Sequence, residues 1–160
     1  MTLANVIQDY NPGHYFMHPW FWSSFLGWTI AQMIKLVRAA IRTKSIDLEY
    51  LVSTGGMPSA HSAMVMGLAT AIGLTEGFGS PIAMLAIGFA AITVFDAATV
   101  RHAAGEQAKV LNRLMRELFL RHQLPTIAHL KELLGHTRKE VLWGMVTGVC
   151  TAVGVCYFWR

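Results

Sequence analysis

Three groups of residues in this sequence have the types and spacing to do chemistry. The first is Ser53-Thr54-Gly55-Gly56-Met57-Pro58-Ser59-Ala60-His61-Ser62-Ala63. Two glycines let a backbone bend tightly and come close to a ligand. Pro58 suits the first turn of a helix, where its missing N–H costs little. The small-residue run from Ala63 to Gly73 carries that helix onward. A glycine loop feeding a helix N-terminus offers free N–H groups to an anion, and His61 stands there for proton transfer. The plain alternative is a Gly-Pro turn with Ser59 as its N-cap. The second group is His136 and Glu140, four apart at an expected helix start and so on one face. A carboxylate one turn away can fix the tautomer of an imidazole and stabilise its cation. The third group is cationic: Lys35, Arg42, Arg101 and Lys131 could neutralise phosphate oxygens. One histidine could attack phosphorus while the other protonates the leaving oxygen. No Asp/His cluster is dense enough for a two-metal site, so the expected chemistry uses no metal and no cofactor. Taken singly, each histidine could equally be a cap or an interfacial hydrogen-bonding residue.

The elements that must position these groups follow from composition. The chain has 160 residues, 54% apolar and only 14% charged. A soluble domain carries about 25% charged residues. Stretches of low charge predict membrane spans at about 15–36, 57–75, 82–100 and 141–159, each close to the ~20 residues a bilayer crossing needs. Residues 101–122 read as an amphipathic helix with a basic side, lying on the membrane surface or packed beneath the bundle. Gly144, Gly148 and Gly154 are spaced for helix packing in the last span. The expectation is therefore one all-α domain over 1–160, an integral membrane bundle of about four transmembrane helices plus one cytoplasmic amphipathic helix. Residues 38–50 are expected to form a loop. All Lys and Arg except Arg160 fall within 35–44 or 101–139. The positive-inside rule puts those segments in the cytoplasm, together with the glycine loop and His136. The net charge of +4 is better explained by membrane lipids than by nucleic acid. Asp96 at membrane depth is costly, and so a candidate for function or for a salt bridge closing its helix. The small residues in the spans would permit helix-mediated homo-oligomers.

Gly55-Gly56-Met57-Pro58-Ser59-Ala60-His61-Ser62-Ala63 resembles the Pro-Ser-x-His motif of the type-2 phosphatidic acid phosphatase superfamily. It is closer still to a small divergent branch, named acid phosphatase/vanadium-dependent haloperoxidase-related. Three more segments are similar to that branch: Ala31-Gln32-Met33-Ile34-Lys35, Asp96 to Arg101 with Ala104 to Ala108 and Asn112, and Leu130 to His136 with Glu140-Val141. The resemblance covers about residues 25–155. It implies a helical membrane phosphatase with a phosphohistidine intermediate. By the motifs, His136 resembles the nucleophile, Glu140 takes the place of the orienting Asp, and His61 resembles the leaving-group acid. Ser59 and the backbone near Gly55 and Gly56 would bind phosphate, Lys35 and Arg42 match the first motif, and Asp96 and Asn112 would support the site.

The chain also departs from the superfamily. Leu130 stands where the third motif has arginine and His129 where it has serine, so Lys131 or Arg101 must substitute. The resulting expectation is hydrolysis of a lipid phosphomonoester at the cytoplasmic leaflet. The resemblance favours phosphatidylglycerophosphate as substrate, with phosphatidate or polyprenyl (di)phosphates as alternatives. Two other classes stay open: a non-catalytic phospholipid-binding membrane protein and a small transporter.

Overall fold

A computed structural model describes residues 16–44, 56–122 and 135–159, with the side chains of 118–122 left aside. Five helices occupy the described residues: α1 (Pro19–Thr43), α2 (Ala60–Glu76), α3 (Pro81–Ala98), α4 (Val100–His122) and α5 (Arg138–Phe158). Among the described residues there is no strand, so the all-α expectation holds.

Local chemistry explains most helix ends. Pro19 and Pro81 open α1 and α3 at positions where no N–H is needed. The Ser59 and Ser80 side chains cap α2 and α3 by accepting the backbone N–H of Ser62 and Ala83. Thr137 caps α5 with a full capping box, its hydroxyl accepting from the Glu140 N–H while the Glu140 carboxylate accepts from the Thr137 N–H. Lys44 ends α1 in the left-handed region (φ 54°), where its N–H reaches the Ala40 carbonyl at 2.9 Å.

Two boundaries differ from expectation. Helix α1 runs on through Arg38 and Arg42, which the sequence reading placed in a loop. Polar and basic side chains stand on the exposed sides of these turns and leave the backbone free to continue. Helix α5 begins at Arg138, so His136 lies two residues before its helix rather than on it.

Helix α2 is the centre of the packing, touching α1, α3 and α5, and α5 also packs on α1. The contacts are made by small residues. A Cβ on Gly27 would press on the Ala63 carbonyl, one on Gly67 on the Ser23 carbonyl, and one on Gly148 on the Ala63 carbonyl and the Gly67 nitrogen. The buried apolar residues are mainly alanines, with Val65, Ile72 and Val141. Close backbone approach of this kind is how helices associate where lipid removes the hydrophobic drive. Gly154 has nothing near it, so of the three α5 glycines only Gly144 and Gly148 are packing positions.

The outward faces are covered by large apolar side chains, including Ile82, Leu85, Phe89, Ile92 and Phe95 on α3 and Leu142, Trp143 and Val153 on α5. Among the described residues, two stretches are long and apolar enough to cross a membrane, one within Pro81–Glu117 and one at Arg138–Phe158. Helix α4 presents Val110, Leu111 and Leu114 outward together with Lys109, Arg113 and Arg116, while Gly105, Ala108 and Asn112 are buried.

Candidate functional site

The site lies where the start of α2, the end of α3, the start of α4 and the start of α5 meet. His61 is on the first turn of α2. It lines one small pocket with Thr93, Asp96 and Ala97 of α3, Arg101 of α4, and Gly135 and His136 before α5. The two histidines singled out in the sequence are therefore neighbours, although far apart along the chain.

Backbone contacts hold His136 in place. Its N–H donates to the Ala97 carbonyl at 3.2 Å, tying the segment before α5 to the end of α3. Gly135 adopts φ +93°, and a Cβ there would run into the backbone of Arg101 and His102. Only glycine lets the chain pass so close to the start of α4.

The His136 ring is buried, and its Nδ1 lies 3.5 Å from Glu140 Oε2. That approach is too long or too poorly aligned for a hydrogen bond, and Nδ1 has no other partner. The same carboxylate oxygen accepts the Thr137 N–H at 2.8 Å. Glu140 is thus fixed by the helix cap and aimed at the imidazole. Burial is the main cause that lowers the His136 pKa below the usual 6.5. The Glu140 charge opposes the shift, while Lys35 and His61 reinforce it. His136 is consequently neutral at neutral pH. With Nδ1 facing the carboxylate, Nε2 is the nitrogen left for chemistry.

Lys35 reaches the site from α1. It is only 5% exposed, and its stem packs beside Gly56, which has φ +94°. Both Lys35 and Arg101 are near enough to His61 to act on its charge. Arg101 Nε donates to Asp96 Oδ2 at 2.7 Å across the α3–α4 junction, leaving both side chains partly exposed. Asp96 is therefore paired, as the salt-bridge reading expected.

The other expected site residues are placed as follows. The Ser59 hydroxyl is wholly buried and faces Ser62, accepting from its N–H and its hydroxyl at 3.4 and 3.0 Å. The Ser59 N–H donates to the Glu140 carbonyl at 2.9 Å. Ser59 is a cap and a tie between α2 and α5, and does not line the pocket. Arg42 is exposed at the end of α1, also away from the pocket lining. Asn112 is buried on α4. Gly55 and Lys131 lie outside the described residues. Among the described residues no three His, Cys, Asp or Glu side chains gather as a metal site.

Thr137 was missed by reasoning from sequence, yet Thr137-Arg138-Lys139-Glu140 carries the Ser/Thr-x-x-Glu capping signature. Thr93 and Ala97 had no signal of their own, since only the fold brings them to the pocket.

No solved structure matches this chain. A curated relative does: the uncharacterized membrane protein YuiD of Bacillus subtilis (strain 168), 40% identical, with 85% of this chain and 92% of the relative covered. A sequence model of the Divergent PAP2 family matches residues 16–151, a range that takes in every described pocket residue. The chain belongs to the Divergent PAP2 family.

Proposed function

We propose that the protein is an integral membrane phosphatase that hydrolyses a lipid phosphomonoester through a phosphohistidine on His136. The observation that carries this reading is the meeting of His61 and His136 in one pocket with Arg101 at its edge. Neutral His136 attacks phosphorus through Nε2. The bond from phosphorus to the lipid oxygen breaks, and His61, protonated once the bound phosphate dianion offsets the Lys35 and Arg101 charges beside it, gives that oxygen its proton. Water then attacks the phosphohistidine, His61 takes a proton from it, and inorganic phosphate leaves with His136 restored. Glu140 stabilises the imidazole while it carries positive charge. Lys35 and Arg101 neutralise the phosphoryl oxygens. Arg101, which borders the pocket, is our choice for the role of the third-motif arginine that Leu130 replaces.

The membrane setting is supported by the two long apolar stretches and by the outward apolar faces of α3 and α5. We place the site at the cytoplasmic end of four crossings, with α4 against the anionic headgroups. Phosphatidylglycerophosphate is the favoured substrate, ahead of phosphatidate and polyprenyl phosphates. The transporter alternative loses its motive, because Asp96 is paired with Arg101. The test is phosphate release from these lipids in detergent, with and without vanadate and with EDTA throughout. Release blocked by vanadate supports the phosphatase. Binding of phosphomonoester lipid without release would instead support a non-catalytic lipid-binding protein.

A further inference from the structure

A second cavity lies on another side of α3, between that helix, α2 and α5. It is an apolar groove of about 650 Å³, lined by residues that include Met66, Ile87, Ala91 and Met145. That volume falls in the ordinary range for small-ligand sites, roughly 300–1,000 Å³. Phe78 stands in its lining after α2, with its ring against Gly73. Arg138 is the one charged residue that lines it among the described residues. Arg138 is also the first residue of α5, so its cation sits at the positive end of a helix. That position is unfavourable for the helix unless an anion is near, and the acid of that first turn, Glu140, is already engaged by the Thr137 N–H and His136. Arg138 forms no ion pair among the described residues.

We propose that this groove binds an anionic glycerophospholipid from the bilayer, with one acyl chain between α2, α3 and α5 and its phosphate at Arg138. The lining supplies apolar contact along the chain and a single cation for the headgroup. A zwitterionic lipid would place its own cation beside Arg138 and is disfavoured. A second copy packed through the same α3 and α5 faces would bring apolar side chains such as Phe89, Ile92 and Leu142 to the groove rather than an acid for Arg138. The proposal does not rest on the phosphatase reading.

The test uses the full chain in proteoliposomes and a phosphatidylglycerol probe with a diazirine in its acyl chain. A phosphatidylcholine probe with the same chain is the comparison. Phosphatidylglycerol is a phosphodiester, so labelling is read apart from monoester hydrolysis. Mass spectrometry of the wild type should place adducts from the anionic probe at Met66, Ile87 and Met145, well above those from phosphatidylcholine. Arg138→Gln should reduce them about fivefold, the scale of one basic residue near an anionic lipid. Ala91→Trp, which fills the groove from an exposed position, should remove them for both probes. Equal labelling by the two probes, or labelling spread over Leu85 and Ile92 and unmoved by either variant, would mean ordinary boundary lipid and overturn the proposal. No groove adducts from either probe, together with a disulfide-linked dimer of Ile87→Cys, would overturn it in favour of a second copy.

Discussion

Glu140 Oε2 lies 3.5 Å from His136 Nδ1 while accepting the Thr137 N–H at 2.8 Å. One oxygen therefore serves a helix cap and an imidazole together. Glutamine can fill the same capping position, so the two roles can be separated. In Glu140→Gln the helix should stay capped and the charge should go. Glu140 raises the His136 pKa against the stronger effect of burial. Removing it lowers that pKa further. The acid limb of kcat/KM, which reports the free enzyme, should move to lower pH while kcat falls. A limb that stays in place or moves up would show that Glu140 does not act on the nucleophile.

The same burial has a consequence for stability. The folded state holds His136 neutral, and the unfolded chain takes up the proton at the ordinary imidazole pKa. Stability from this group is present above about pH 6.5 and is lost as pH falls below it, until the folded-state pKa is reached. Wild-type protein should melt at a lower temperature at pH 5 than at pH 7. In His136→Asn the difference should shrink. A pH dependence unchanged by that substitution would remove His136 as its source.

Arg101 is the cation at the pocket edge, restrained by Asp96 at 2.7 Å. Arg101→Ala should lower kcat/KM by about 10²–10³-fold, the usual cost of a lost transition-state donor. Asp96→Asn keeps the cation and loosens it, so the loss should be smaller. Steady-state kinetics on a soluble short-chain phosphomonoester would rank the two. A larger loss from Asp96→Asn would make Asp96 the functional group.

Packing makes a sharper demand at Gly148 than at Gly154. A methyl group on Gly148 meets the backbone of Ala63 and Gly67, whereas one on Gly154 meets nothing. Gly148→Ala should destabilise by about 1–3 kcal/mol, the range for an overpacked core. Gly154→Ala should be neutral or slightly stabilising. Thermal melting in detergent compares them. Equal melting temperatures would contradict the packing of α5 on α2.

These particular residues show what was legible in the sequence. Ser59, Pro81 and the Thr137/Glu140 pair carry their helix starts in local chemistry, because caps and first-turn prolines are decided within four residues. The end of α1 was not legible: Arg38 and Arg42 resemble loop charges, and only the exposed face of a continuing helix accommodates them. Gly148 and Gly154 look alike in sequence, but six residues at 3.6 per turn put them on different faces. The meeting of His61 and His136 could be argued through topology, by counting spans and basic segments, and through the motif resemblance, but from no local signal. Ser59 is the reverse case. Its motif suggested a phosphate ligand, and in the structure its oxygen accepts from Ser62 and lies away from the pocket lining.

The account stands on His136 as the atom donor to phosphorus. The most direct measurement is rapid quench of the purified protein with phosphatidylglycerophosphate labelled in its terminal phosphate, under the alkaline conditions that preserve phosphohistidine. The labelled peptide is then identified by mass spectrometry. The account predicts phosphate on His136, none in His136→Ala, and turnover lowered about 10²–10⁴-fold in His61→Ala. Turnover that survives in His136→Ala, or phosphate found on another residue, would contradict it.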